Sequence, residues 1–251
     1  MRGQIDRMSA GIAPLVAAAR RRARHAARIL RGNEMPSIVL EVRDEGLTYL
    51  GEKALLDLYD QVRRVEIENL NGRLIEAGCA LGGSAIVMGA AKQKERSLDV
   101  YDVFDMIPPP SDVDGEDVHE RFKEIARGES AGINGAIYYG YMEDLYSTVK
   151  GNFERRGVPV EQNNVQLIRG LFQDTMKIDG PVALAHIDGD WYESVMTCLI
   201  NIEPKIVSGG VLIIDDYDCW SGCRKAVDEY FAARKHAYTF VKRSRLQIFR
   251  K

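Results

Sequence analysis

Two stretches of the chain gather carboxylates directly after apolar runs. His186-Ile187-Asp188-Gly189-Asp190-Trp191-Tyr192-Glu193 closes the run Val182 to Ile187, and Asp215-Asp216-Tyr217-Asp218 closes Val211 to Ile214. If the two runs are neighbouring parallel strands, about 4.8 Å apart, their carboxyl ends share the ligand-binding edge of the sheet and bring Asp188, Asp215 and Asp216 into one cluster. Clustered carboxylates repel one another unless a proton or a cation offsets them, and an all-oxygen set suits a hard ion such as Mg²⁺ or Ca²⁺. The competing assignment, in which each Asp caps the helix that follows, suits one strand end better than two. His186 lies two positions before Asp188, on the same strand face, and reads as a satisfied buried histidine. Cys219-Trp220-Ser221-Gly222-Cys223 has no evident partner base, so it reads as a structural or substrate-side loop.

A second constellation follows the first apolar run, in Glu76-Ala77-Gly78-Cys79-Ala80-Leu81-Gly82-Gly83-Ser84. Glycines there let the backbone approach a ligand, and a helix N-terminus offers unpaired N–H groups. Asp102 ends the second strand, 24 residues after Gly78, where an acid accepts both ribose hydroxyls of an adenosine. The spacing is not the Gly-x-Gly-x-x-Gly of a pyrophosphate site, and Glu76 would set a negative charge beside a diphosphate. S-adenosylmethionine fits better, because its amino group and sulfonium are cationic. The competing assignment is a tight strand-to-helix turn with no ligand.

The elements that must position these residues follow from periodicity. Short apolar runs at Arg73 to Ala77, Leu98 to Val103, Val165 to Ile168, Val182 to Ile187 and Val211 to Ile214 alternate with helix-period stretches at Ser84 to Lys94, Met142 to Arg156, Ser194 to Ile202 and Arg224 to Arg234. Alternation of this kind predicts an α/β fold with a mostly parallel sheet covered by helices on both faces. Tyr238 to Val241 and Leu246 to Phe249 read as a closing hairpin at an edge, which makes seven strands. Ahead of them, Ile12 to Leu30 reads as a helix, Gly32 to Gly51 as an irregular connector around Pro36, and Lys53 to Ile67 as a second helix. The expected organisation is an N-terminal helical extension over residues 1–50 and one catalytic domain over residues 51–251. The Pro108-Pro109-Pro110 stretch and the acidic Asp112 to Asp117 read as a long functional loop.

Composition narrows the function classes. With 45% hydrophobic and 28% charged residues the 251-residue chain can bury a real core. No apolar run is long enough to span a membrane and no secretory signal is visible, so a soluble cytoplasmic protein is expected. Four scattered cysteines suggest reduced thiols. The net charge of −3 divides into +7 for residues 1–32 and −10 for the rest. The basic arm has its arginines interleaved with Ala and Leu and lacks aromatics to stack on bases, which disfavours nucleic acid and favours a helix that packs on the body or on a second subunit. At least a homodimer is expected.

Taken together, these motifs resemble the macrocin O-methyltransferase (TylF-like) family of metal- and S-adenosylmethionine-dependent sugar methyltransferases. The resemblance covers roughly Asn71 to Arg234. It is carried by Leu74-Ile75-Glu76-Ala77-Gly78 with Gly82-Gly83, by Gly170-Leu171-Phe172-Gln173-Asp174-Thr175, by Asp188-Gly189-Asp190-Trp191-Tyr192-Glu193-Ser194, and by Asp215-Asp216-Tyr217 through Gly222-Cys223-Arg224-Lys225. It implies a Rossmann-like class I fold, Asp188, Asp215 and Asp216 as ligands of Mg²⁺ or another hard divalent ion, and Asp190 as general base, with His186 or His119 as alternatives. The expected cofactor residues are Glu76, Gly78, Gly82, Ser84, Asp102, Gly170 and Asp174. The family's Asp-Ser/Thr-Phe-x-Gly-Leu/Ile-Pro becomes Asp102-Val103-Phe104-Asp105-Met106-Ile107-Pro108 here, which points to a different acceptor. The expectation is O-methylation of a sugar hydroxyl on a neutral glycoside or oligosaccharide, for instance a methylated mannoside. Acceptor hydroxyls would meet Asp112, Asp114, Glu116 and Asp117, and pyranose faces would stack on Trp191, Tyr192, Tyr217 and Trp220. The alternatives are a catechol acceptor and an Asp-x-Asp nucleotide-sugar glycosyltransferase.

Overall fold

The computed structural model describes residues 35–251; the Arg-rich helix expected at Ile12 to Leu30 lies outside them. The apolar runs form the strands β1 (Arg73–Ala77), β2 (Leu98–Asp102), β3 (Val165–Arg169), β4 (Val182–Ile187) and β5 (Ile206–Ile214), all parallel, and the antiparallel hairpin β6 (Tyr238–Lys242) and β7 (Leu246–Arg250). Their order is β3-β2-β1-β4-β5-β7-β6. The last strand therefore enters between β5 and β6, and β3 and β6 are the two edges. β1, β2 and β4 are buried nearly throughout, as strands covered on both faces must be.

Alternate residues along each strand divide the core in two. Leu74, Val100, Leu184, Val211 and Ile213 face α1 (Ser37–Asp44), α2 (Glu52–Ile67), α3 (Gly83–Ala91) and α5 (Leu145–Arg155). Ile75, Ala77, Ala185, Ile187, Leu212 and Ile214 face α7 (Tyr192–Ile202) and α8 (Ser221–Phe231). The remaining helices, α4 (Glu116–Ala126) and the single turn α6 (Phe172–Thr175), stand at the carboxyl edge of the sheet.

Two expectations need correction. The stretch Gly32 to Gly51 is not an irregular connector throughout, since α1 begins just after Pro36 and buries Ile38, Val39 and Val42 in the same core as α2 and α3. Proline at a helix start removes an N–H that would be unpaired anyway, so Pro36 begins this helix rather than breaking it. The long loop after β2 likewise contains α4: Glu116 and Asp117 occupy the first turn, where acids oppose the helix dipole, and Val118 and Ile125 are buried.

The sheet ends are locked together by backbone bonds. Gly78 donates to the Tyr101 carbonyl at 2.8 Å, Asp188 to Ala77 at 2.8 Å, and Asp215 to Ile187 at 2.9 Å. Gly78 has φ +87°, and a Cβ built there would lie 1.9 Å from the Asp188 carbonyl oxygen. Only glycine allows β1 to end this close to β4. Gly78→Ala is expected to destabilise the fold by more than about 2 kcal/mol, readable as a lowered urea midpoint; a wild-type midpoint would show that the strand ends can separate freely.

Candidate active site

Two cavities, of about 300 and 340 Å³, open above the carboxyl ends of the strands and share Gly78, Asp102, Ile107, Tyr139, Asp188, Asp190 and Trp191 as lining. The first extends toward Val103, Asp105, Pro108 and the turn Leu171-Phe172-Gln173 after β3. The second extends toward Asp215, Asp216, Arg245, Trp220, Tyr49, Tyr138 and Arg121. The two meet at Asp188 and Asp190.

Asp188, Asp215 and Asp216 come together as expected, each offering an atom within 4.8 Å of the others. Burial, the Asp215 and Asp216 carboxylates and then that of Asp190 push Asp188 well above the carboxylate range. Burial and the Asp215 charge raise Asp216 to about 6. Burial would also raise Asp215, but His186 and Arg245 outweigh it and hold this group low. The Arg245 Nε donates to Asp215 Oδ1 at 2.6 Å. Among the described residues Asp216 Oδ2 is buried with no hydrogen-bond partner. An all-carboxylate set with a buried, unpartnered oxygen fits a hard divalent cation.

Asp190 sits at the junction in a left-handed conformation, φ +54°. Its Oδ1 accepts from the Trp220 Nε1 at 3.1 Å. Trp220 packs edge-on against Trp191, with centroids 5.7 Å apart. Burial and the charges of Asp216 and Asp215 raise Asp190 well above its ordinary value.

The expected cofactor residues separate into two groups. Gly78 and Asp102 line both cavities. The Asp102 carboxylate accepts from the Cys79 and Phe104 amides, each at 2.7 Å, and so also holds the glycine-rich turn in place. Glu76, Gly82, Ser84, Gly170 and Asp174 line neither cavity. Gly82 precedes α3. Glu76 is fully buried, accepts from the Ser84 Oγ and lies 3.1 Å from His186 Nδ1. Beyond β3, Leu171, Phe172 and Gln173 face the first cavity in place of Gly170 and Asp174. His119, on α4, lines neither cavity.

The acidic stretch does a different job from the one its composition suggests. Neither α7 nor α8 has a side-chain cap of its own. Asp114 accepts from the Tyr192 amide at 2.8 Å, and Asp117 from the Ser221 amide at 2.9 Å. The loop thus caps both helices that follow the catalytic strand ends, consistent with the macrodipole. Gly222 permits this, since a Cβ there would lie 2.0 Å from Asp114 Oδ1. Trp191 adds a bond from its Nε1 to the Pro108 carbonyl at 2.9 Å. Of the expected aromatics, Trp191 and Trp220 line the second cavity. Tyr192 and Tyr217 instead turn their hydroxyls to Glu229 and Asp228. Tyr49, Arg121 and Tyr138 were not expected there; the aromatic run Tyr138-Tyr139-Gly140-Tyr141 was a signal for Tyr138 alone, and Tyr49 and Arg121 had none.

The fold and the two joined cavities frame the comparisons with known proteins. The family model of macrocin-O-methyltransferase (TylF) matches residues 15–242. The chain belongs to this family. It is 34% identical over 206 residues to the demethyldecarbamoylnovobiocin O-methyltransferase of Streptomyces niveus, covering 76% of this chain and 73% of the relative. It is 32% identical over 207 residues to a Streptomyces olivaceus enzyme named 8-demethyl-8-(2,3-dimethoxy-alpha-L-rhamnosyl)-tetracenomycin-C 4'-O-methyltransferase, covering 80% and 71%. The solved O-methyltransferase NovP superposes with a TM-score of 0.69 at 29% identity, covering 84% of this chain and 88% of that one. This macrocin O-methyltransferase family member is therefore an S-adenosylmethionine-dependent O-methyltransferase of the class I fold. That assignment sets aside the glycosyltransferase alternative. Among the described residues no helix is long and apolar enough to cross a membrane.

Asp114→Ala is expected to cost about 1–2 kcal/mol, because it uncaps α7 and strands the part-buried Tyr192 and Ser111 amides. Asp117→Ala, at a more exposed cap, should cost less. Thermal melts with limited proteolysis between residues 105 and 130 check both; unaltered protease resistance in Asp114→Ala would mean the loop is held by other contacts.

Proposed function

We propose that this enzyme methylates a sugar hydroxyl of a neutral glycoside or oligosaccharide, with Asp190 as general base beside a divalent ion held by Asp188, Asp215 and Asp216. The observation that carries the reading is the meeting of the two cavities at Asp188 and Asp190, next to that buried carboxylate cluster. The first cavity suits the methyl donor and the second the acceptor, so donor and nucleophile approach each other over Asp190. A hard cation in the cluster supplies Lewis acidity toward a hydroxyl whose unassisted pKa resembles that of water, about 15.7.

The protein's own residues account for the rest. Trp220 fixes one oxygen of Asp190 and leaves the other to face the acceptor. Asp190 takes the hydroxyl proton as the oxygen–methyl bond forms and the sulfur–methyl bond breaks, leaving S-adenosylhomocysteine. Because the donor is already activated, alignment and deprotonation supply most of the acceleration. Trp220 and Tyr139 line the second cavity, aromatic residues of the kind that stack on a pyranose. The second cavity's arginines are both matched: Arg245 by Asp215 and Arg121 by Glu124 at 2.7 Å. Matched cations leave no strong demand for an anionic acceptor, which favours a neutral glycoside over a nucleotide sugar. The Streptomyces olivaceus relative, named for a rhamnosyl-bearing substrate, supports a sugar.

Asp190→Asn is expected to lower kcat by about 10²- to 10⁴-fold while S-adenosylhomocysteine affinity holds. Unchanged turnover would remove Asp190 from the chemistry. A chelator should abolish activity and Mg²⁺ should restore it; full activity in the chelated enzyme would refute the cation. Labelled methyl transfer to neutral glycosides, nucleotide sugars and catechols tests the acceptor, and turnover confined to either of the last two would overturn the neutral-sugar assignment.

A further inference from the structure

We infer that Glu76 and His186 form a buried positioning pair that holds the Asp215 carboxylate for the divalent ion and does not bind the methyl donor. The inference rests on the cation reading above. It begins with strand register. Glu76 of β1 stands beside His186 of β4, and His186 beside Ile213 of β5. In parallel strands such a row shares one face of the pleat, and Asp215, two residues beyond Ile213, continues that face at the sheet's edge.

The row is dry. Glu76 and His186 are both 0% exposed, and the neighbouring positions on the same face, Leu74, Leu184 and Ile213, are apolar. The histidine links two carboxylates: Nδ1 lies 3.1 Å from Glu76 Oε2 and Nε2 lies 3.5 Å from Asp215 Oδ1. At that distance Nε2 has no hydrogen-bond partner among the described residues. It is a fully buried polar atom aimed at a candidate metal ligand. Arg245 approaches the same Oδ1 from the hairpin at 2.6 Å. Both contacts fall on Oδ1 and neither on Oδ2, which leaves the second oxygen to the cluster. Ser84 closes the far end of the row by donating to Glu76.

Stability alone gives little reason for this arrangement. A buried ionisable pair seldom repays its desolvation against apolar side chains of similar volume, so leucines at both positions would serve the core at least as well. Groups behind metal ligands, by contrast, fix ligand orientation and basicity, and their loss typically weakens metal binding about 10- to 100-fold.

The test separates metal from donor. Mn²⁺ binding without donor, by calorimetry and by electron paramagnetic resonance of the free ion, and S-adenosylhomocysteine binding without metal are measured on wild type, Glu76→Gln and His186→Gln, with melting curves for each. The expected result is Mn²⁺ affinity lowered at least about 10-fold in both variants with S-adenosylhomocysteine affinity retained. Unchanged Mn²⁺ affinity in the variants overturns the inference. So does a Glu76→Gln variant that loses S-adenosylhomocysteine and keeps Mn²⁺, or parallel loss of both affinities with a collapsed melt. A measurement on unaltered protein stands beside these: the ¹⁵N resonances of the His186 ring should move when Mg²⁺ is added, and their immobility would also overturn the pair. Wild-type protein that binds no Mn²⁺ would refute the cation reading itself, a result distinct from a wild type that binds and variants that bind equally well.

Discussion

Negative charge gathered at the closed end of a parallel sheet is the constraint to which the rest of this molecule answers. β1, β4 and β5 must end in register for Asp188, Asp215 and Asp216 to approach one another, and the same approach makes each carboxylate costly to ionise. The protein offsets only part of that cost. Arg245 bonds to Asp215 and His186 lies 3.5 Å from it, while among the described residues Asp188 and Asp216 have no comparable cationic neighbour. Uneven compensation separates the three acids into one held ionised and two raised, a pattern that a divalent ion would complete.

Around this cluster, much of the structure serves to hold distances. Gly78 allows β1 to close on β4, and Asp102 ties down the turn that follows. The loop after β2 does not hang over the site as an independent flap. Through Asp114, Asp117 and the Trp191 contact with Pro108 it is joined to the N-termini of α7 and α8. Those helices start where β4 and β5 deliver their carboxylates, so loop position and catalytic geometry share the same hydrogen bonds. The acceptor chamber inherits its shape from this joint, with α4 bringing Arg121 over Tyr138 at 5.9 Å.

How much of this was legible in the sequence depended on range. The strands, the adjacency of the fourth and fifth, and the Asp cluster followed from local runs of Val, Ile and Leu ending in Asp, because a buried parallel strand advertises itself within six residues. α1 escaped notice because Pro36 reads equally as a breaker or a starter, and only packing decides. α4 is hidden because Asp112 to Asp117 after three prolines reads as a long functional loop, although acids followed by spaced apolar residues also mark a helix start. Glu76 was identified as important from its place in the turn, but its direction was not, since alternation along β1 turns it into the core beside His186. Arg245 and Tyr49 carried no signal at all. Each reaches the site from an element distant in sequence, and nothing in their own neighbourhoods announces the carboxylates they will meet.

Arg245 also bears on the order in which the molecule is made. Arg245 lies in the turn ahead of β7, and β7 is the strand that fills the gap between β5 and β6. A ribosome delivers β4, β5 and all three clustered aspartates before it delivers either. A nascent chain paused after α8 would hold the carboxylates with no guanidinium beside them and the outer edge of β5 unpaired, the backbone of Val211 to Ile214 still lacking the partners that β7 supplies from Phe249 to Leu246. Closure of the sheet and the arrival of Arg245 beside Asp215 thus come together late in synthesis, delivered by the same hairpin.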